Sequence, residues 1–232
     1  MPHFVASTDA ITVAVHDLGG PATPAAPTLL FCHANGFCGA VFRPLAERLA
    51  DGYRGLAVDL RYHGDSVAPD GLEPSWYHFG DDVEAVLDAG LIPEAAALHG
   101  IGHSLGGAAL VMAAARRPSR FRSLWLYEPI IPPPDHRSAD GGPNLMSDAA
   151  LRRRSTFESP DAAYENFASK PPLDQLHPEA LRAYVDGGFA TQPDGSVQLK
   201  CRPESEAAIF RTGHQHEAWE AAARVRVPTT VV

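Results

Sequence analysis

The stretch HGIGHSLGGAAL, from His99 to Leu110, places one serine, Ser104, between two glycines in a G-x-S-x-G pattern. An apolar run precedes the pattern and an alanine-rich run follows it, which predicts a strand joined directly to a helix. A turn this sharp forces the serine to a positive φ and requires flanking positions without bulk, as Gly102 and Gly106 provide. We therefore predict that Ser104 is a nucleophile raised above a sheet. The amide of Leu105, at the start of the helix, is the predicted first donor to an oxyanion.

Strand and helix patterns alternate on both sides of this stretch. The apolar or alternating runs that predict strands span residues 11–19, 28–33, 53–60, 96–103 and 121–129. The runs with helical spacing span residues 42–51, 81–92 and 105–117. This alternation predicts an α/β fold, with a mostly parallel sheet and helices on both of its faces. Ligands bind such sheets at the carboxyl ends of the strands, and Ser104 lies at one of these ends.

A loop of small residues follows the strand TLLFCH and runs from His33 to Phe37. An oxyanion site needs a second main-chain donor from an earlier strand-to-helix loop. The amide of Asn35 is the predicted donor. The alternative is that these residues form a plain tight turn.

The alternation of strands and helices stops after Pro129. Residues 130–143 read as a turn-rich linker, and short helical pieces broken by proline and glycine follow to Arg211. We predict a core at residues 1–130, a helical lid at 131–215 inserted after the sixth strand, and a resumed core at 216–232. The aromatic residues of the lid form either the apolar wall of a pocket or the lid's own core: Tyr164, Phe167, Tyr184 and Phe189.

Composition excludes several classes of protein. The chain has 232 residues and a formal charge of −9, whereas a nucleic-acid-binding protein normally has a basic face. Its start lacks the pattern of a signal peptide, and no apolar run is long enough for a membrane span. Three cysteines provide no framework of disulfides, and there is no Cys/His clustering typical of a metal site. We expect a cytoplasmic protein without metal that binds neither nucleic acid nor membrane.

Three segments together resemble the α/β-hydrolase family: FCHANGFCGAVFRPLAERLA, GYRGLAVDLRYHGDS and GIGHSLGGAALVMAAARRPSRFRSLWLYEP. The resemblance covers about residues 10–130, and VPTTVV near the end is similar to the family's next core strand. One departure is Ala34, where relatives commonly have glycine. The resemblance implies a serine hydrolase with no cofactor.

In this family the triad residues follow the order serine, acid, histidine. The resemblance places the acid after the post-lid strand and the histidine one strand later. We therefore expect the catalytic histidine beyond Val232, the last core strands to be missing, and little activity from residues 1–232 alone. Some relatives have the acid after the earlier strand, which makes Glu128 the other candidate; it could instead bond backbone amides and anchor the lid.

The histidines within the chain are poorer candidates for the base: His33, His63, His99, His103, His177, His214 and His216. The predicted reaction is acyl transfer from a small ester or related acyl substrate to Ser104, followed by hydrolysis. A serine nucleophile disfavours relatives that open epoxides with an aspartate. The alternatives are a non-catalytic ligand-binding protein of the same fold, a carbon–carbon bond hydrolase and an acyltransferase.

Overall fold

The computed structural model describes residues 1–134, 144–213 and 215–232. Its main sheet has seven strands in the order β1-β2-β4-β3-β5-β6-β10. These strands are β1 (His3–Ala6), β2 (Thr12–Gly19), β3 (Thr28–Cys32), β4 (Arg54–Asp59), β5 (Leu98–His103), β6 (Phe121–Tyr127) and β10 (Thr229–Val231). All pairs from β4 to β10 in this order are parallel. The pairs of β1 with β2 and of β2 with β4 are antiparallel.

Helices pack on both faces of this sheet, which confirms the predicted fold class. They are α1 (Arg43–Leu49), α2 (Phe79–Asp88), α3 (Leu105–Arg116) and α8 (Ala218–Ala222). The larger apolar core lies between the sheet and α2, α3 and α8. A smaller core, which includes Phe31 and Ala46, lies under α1. Because β3 and β4 are covered on both sides, nearly all of their residues are buried and most are apolar.

The segment between β6 and α8, which we call the inserted segment, was predicted to be helical. It contains the helices α4 (Leu145–Leu151), α5 (Pro160–Ala168), α6 (Pro178–Gly188) and α7 (Pro203–Arg211). It also contains a small antiparallel sheet of β7 (Thr156–Phe157), β9 (Val197–Leu199) and β8 (Phe189–Thr191), in that order. Strands this short have too few residues for an alternating pattern, which is why the sequence did not indicate them.

The inserted segment has its own apolar core, which includes Phe157, Phe167, Tyr184 and Phe189. That core also takes in Cys38, from the loop after β3, so the segment packs directly on the main sheet's carboxyl edge. Most of the predicted linker, at 135–143, lies outside the described residues. The boundaries at 130 and 215 stay predictions. No helix within the described ranges is long and apolar enough to cross a membrane.

Candidate active site

Ser104 lies in the turn between β5 and α3 with φ 53° and ψ −112°. The predicted positive φ is therefore present. A Cβ on Gly106 would lie 2.1 Å from the carbonyl oxygen of Cys32, and one on Gly102 would lie 2.7 Å from the Cα of Gly107. Strand and helix pass so closely here that only glycine fits. The spacing in the sequence thus reflects a steric demand of the turn.

Main-chain bonds hold Ser104 from both sides. Its amide donates to the Tyr127 carbonyl at 2.9 Å, and its carbonyl accepts from the Ile130 amide at 3.2 Å. The residue is half-buried, and neither its hydroxyl nor the Leu105 amide has a hydrogen-bond partner among the described residues. The helix N-terminus behind Leu105 favours negative charge at this point. The turn can therefore present a nucleophile beside a vacant amide donor.

The loop after β3 forms a tight turn. The Phe37 amide donates to the Ala34 carbonyl at 3.1 Å, and Gly36 has φ +77°, a conformation that glycine adopts without strain. The loop is tied to the serine turn, because the Gly106 amide donates to the His33 carbonyl at 3.0 Å. The Asn35 amide has no partner within the described part of the chain. The turn geometry and a free Asn35 donor therefore occur together.

The side chain of Asn35 is buried and bonded. Its Nδ2 donates to the Glu206 carbonyl at 2.9 Å, and its Oδ1 lies 3.1 Å from Nε2 of His63. The side chain of Asn35 is thus engaged, whereas its main-chain amide is free within the described part of the chain.

Two buried histidines beside this loop are structural. Nδ1 of His33 donates to the Ala34 carbonyl at 2.8 Å, while its Nε2 accepts from the Leu60 amide at 3.0 Å. Nδ1 of His63 donates to the Arg61 carbonyl at 2.8 Å, and its Nε2 accepts from the Gly36 amide at 3.0 Å. Burial lowers the pKa of both imidazoles, that of His63 to about 3. Both rings are therefore neutral and fully engaged, so neither can accept a proton from Ser104.

The other histidines among the described residues are not bonded to the serine hydroxyl either. The His103 ring lies 5.1 Å from the Tyr127 ring and 6.3 Å from the Phe37 ring. Burial lowers its pKa, and the charge of Glu128 opposes that effect. His99 bonds Ser123, His177 begins α6, and both ring nitrogens of His216 bond the main chain. His214 lies outside the described residues. Across the described ranges, no histidine is hydrogen-bonded to Ser104.

Glu128 directly follows β6, one strand away from Ser104. His103 and Tyr127 are paired in register, which brings the residues after them to the same edge of the sheet. Glu128 is exposed and has φ 43°, a strained conformation for a residue with a side chain. Its amide donates to the Val232 carbonyl at 2.9 Å. No bond from a backbone amide to its carboxylate is found in the described part of the chain, so the anchoring alternative gains no support.

A cavity of about 520 Å³ lies between the loop after β3 and the inserted segment. Asn35 and Phe37 form one side of it, and Phe167 and Met146 contribute to the other. Of the four predicted aromatics, Phe167 lines this cavity and also belongs to the core of the segment. Tyr184 and Phe189 belong to the core alone, and the Tyr164 ring lies against that core beneath Arg182.

Charged residues that were not predicted from the sequence also line this cavity. Arg153 bonds Glu206 at 2.9 Å, and Arg154 bonds Glu158 at 3.0 Å. Arg152 and Lys170 also line the cavity and have no carboxylate partner among the described residues. The run Arg152–Arg154 was the available signal, because three successive cations in an acidic chain are unusual.

The donor set most similar to a metal site is a poor one. One ligand atom each from His16, Asp59 and Asp65 lies within 4.8 Å of the others. The Asp59 carboxylate already accepts from the Gly39 amide at 2.6 Å and from the Asp65 amide at 2.8 Å. The Lys200 ammonium lies 2.6 Å from the Asp65 carboxylate, and its positive charge disfavours a cation there. The Asp59 carboxylate thus fixes the loop after β3 through Gly39 and the turn after β4 through Asp65.

The model of the alpha/beta hydrolase fold family matches residues 27–189. The 2-(acetamidomethylene)succinate hydrolase of Mesorhizobium japonicum is 44% identical over 101 residues, which are 42% of this chain and 34% of that protein. An epoxide hydrolase of Caballeronia sordidicola is 32% identical over 123 residues, 51% of this chain and 34% of that protein. The matches thus span about a third of the length of these relatives.

A crystal structure of E-2-(acetamidomethylene)succinate hydrolase superposes with a TM-score of 0.72 at 25% identity. The superposition covers 100% of this chain and 79% of that one. The two proteins therefore share the same overall fold.

Proposed function

Since the chain belongs to the alpha/beta hydrolase fold family, we propose that it is a serine hydrolase which forms an acyl-enzyme at Ser104. The observation that carries this proposal is the strained turn, which presents the Ser104 hydroxyl beside the vacant Leu105 amide. The curated relatives it matches are hydrolases. A protein that only binds a ligand has no need of a strained serine, which disfavours a non-catalytic receptor.

In the proposed reaction the Ser104 oxygen attacks the acyl carbonyl while a histidine accepts the hydroxyl proton. The carbonyl oxygen becomes an oxyanion between the main-chain amides of Leu105 and Asn35. The histidine then protonates the leaving group, and water releases the acyl group by the same steps. The inserted segment serves as a lid that limits access of water and substrate.

The base is proposed to be a histidine outside the described residues. This is supported by the bonding of the described histidines, since none is joined to Ser104 and the two nearest the loop are neutral and saturated. The acid is either Glu128 or a carboxylate that follows β10. If it is Glu128, Glu128→Gln in the full-length protein lowers kcat about 10⁴-fold, as loss of a triad acid does, and leaves KM nearly unchanged. If kcat falls less than tenfold, the acid is the carboxylate that follows β10.

The substrate is proposed to be a small acyl compound that carries a carboxylate. The name of the relative from Mesorhizobium describes a succinate derivative. The cavity beside Asn35 is lined by Arg152 and Lys170, which lack carboxylate partners within the described ranges, although the chain as a whole has a charge of −9. Arg152→Gln should raise KM about tenfold for p-nitrophenyl hemisuccinate and leave p-nitrophenyl butyrate unaffected.

Other reactions remain as alternatives within the fold. A carbon–carbon bond hydrolase or an acyltransferase would use the same serine turn, and product analysis separates them from an ester or amide hydrolase. Epoxide opening is not proposed for this chain, although one relative is an epoxide hydrolase. Position 104 has a serine and no carboxylate, and a serine oxygen suits acyl transfer.

Active-site labelling tests the proposal. We expect a fluorophosphonate to modify the full-length protein once, at Ser104, and to leave Ser104→Ala unmodified. Ser169→Ala is the matched control, because Ser169 is exposed at the end of α5 and its loss should not change labelling. Absence of labelling in the folded wild-type protein would favour a receptor and refute the hydrolase.

A further inference from the structure

We propose that Tyr184, Arg153 and Glu206 are positioning residues that hold the loop after β3 so that the Asn35 amide faces the oxyanion. This inference rests on the proposed function, because it assigns these residues a part in the same reaction. All three belong to the inserted segment, whereas the loop belongs to the main sheet. The segment would then complete the oxyanion site in addition to covering it.

Tyr184 makes the direct link between the two. Its side chain is fully buried, and its hydroxyl donates to the Gly36 carbonyl at 3.1 Å. The same hydroxyl accepts a bond from Arg153, so the phenol cannot turn away without leaving a buried guanidinium short of a partner. The Gly36 carbonyl is therefore fixed by a side chain 148 residues away in the sequence.

The ion pair of Arg153 and Glu206 closes over the same glycine. The two side chains are only 15% and 8% exposed, and Nη1 of Arg153 donates to both carboxylate oxygens at 2.9 and 3.1 Å. A Cβ on Gly36 would lie 2.3 Å from Oε1 of Glu206. The main chain of Glu206 also accepts the bond from the Asn35 side chain. The ion pair thus packs against Gly36, and the main chain of Glu206 binds the side chain of Asn35.

The core holds the loop from the other side. The Gly36 amide donates to His63, and the Ala34 carbonyl accepts bonds from the Phe37 amide and from Nδ1 of His33. In a trans peptide the N–H points opposite to the C=O, so two bonds on the Ala34 carbonyl also set the direction of the Asn35 N–H. Among the described residues, the Asn35 N–H has no hydrogen-bond acceptor.

A stabilising role alone explains this arrangement poorly. A buried ion pair often contributes no more stability than apolar residues of the same size, because desolvation offsets the attraction. The three residues converge instead on one turn, two residues long, whose proposed task requires fixed geometry. Removal of an oxyanion donor costs about 10²- to 10³-fold in kcat, so misalignment of one should cost about tenfold or more.

The test compares Tyr184→Phe with Tyr164→Phe in the full-length protein. Tyr184→Phe keeps the ring and removes only the hydroxyl that bonds Gly36. Tyr164 is the matched control, because its ring lies in the same segment beneath Arg182 and its hydroxyl has no hydrogen bond among the described residues. We would measure fluorophosphonate labelling of Ser104, together with kcat and KM for p-nitrophenyl acetate.

We expect Tyr184→Phe to slow labelling and to lower kcat at least tenfold, with KM within about twofold and a cooperative thermal transition retained. Glu206→Gln should have an effect in the same direction, and Tyr164→Phe none. If Tyr184→Phe and Glu206→Gln label as fast as wild type, the positioning role is wrong and the hydrolase proposal stands. If the wild-type protein does not label at Ser104, both proposals fail.

Discussion

Replacement of Gly106 by alanine should break the serine turn. The new Cβ would lie 2.1 Å from the Cys32 carbonyl oxygen, where ordinary contact begins at 3.4 Å, so β3 and α3 must separate by about 1.3 Å. The obstruction is backbone, which cannot rotate away as a side chain does. Overpacking of this kind costs about 1–3 kcal/mol, and the movement also weakens the bond from the Gly106 amide to His33 by about 1 kcal/mol.

Together these effects give a loss of about 3 kcal/mol in the free energy of unfolding. For a chain of this length that lowers the midpoint of thermal unfolding by about 6–12 °C. Circular dichroism during heating measures it, with Gly52→Ala as control, because nothing lies within 4 Å of a Cβ at exposed Gly52. The control should change stability by about 0.5 kcal/mol or less. A midpoint for Gly106→Ala within 2 °C of wild type would refute the close approach of strand and helix.

Two further predictions concern buried polar groups. The pKa of His63 is about 3 in the fold and about 6.5 when exposed, so below pH 6.5 the unfolded chain binds one more proton and stability falls with pH by about 1.4 kcal/mol per unit. Between pH 6 and pH 4, the free energy of unfolding measured in urea should therefore fall by about 2 kcal/mol less for His63→Gln than for wild type. If this free energy depends on pH equally in both proteins, the buried imidazole is not neutral. Asp82→Ala leaves buried Arg61 without its bidentate partner and should cost about 3–5 kcal/mol in urea unfolding. Glu158→Ala, which removes an exposed partner of Arg154, should cost under about 1 kcal/mol, and equal losses would contradict the role of burial.

The centre of the main sheet could be predicted from the sequence because β3 and β4 are buried on both faces. Predicted strands at 28–33 and 53–60 correspond to Thr28–Cys32 and Arg54–Asp59. The edge strand His3–Ala6 was missed, since it has only four residues and three of them are exposed. The short strands of the inserted segment were missed for a related reason: each depends on pairing with a distant partner rather than on a local pattern.

In the candidate site, too, the locally encoded part was predictable from the sequence and the long-range contacts were not. The serine turn is a local device, so the spacing of Gly102, Ser104 and Gly106 was enough to predict it. The contacts of Tyr184 and Glu206 with the loop after β3 span 148 and 171 residues, and no single-sequence pattern encodes pairs so far apart. Tyr184 was noticed only as an aromatic residue, whereas its hydroxyl is what meets the loop.

A crystal structure of the full-length protein after reaction with a fluorophosphonate would test the central claim most directly. We predict a phosphonyl group on the Ser104 oxygen, with one phosphoryl oxygen about 2.7–3.1 Å from the amide nitrogens of both Leu105 and Asn35. An adduct on another residue, or a phosphoryl oxygen that contacts neither amide, would contradict the account.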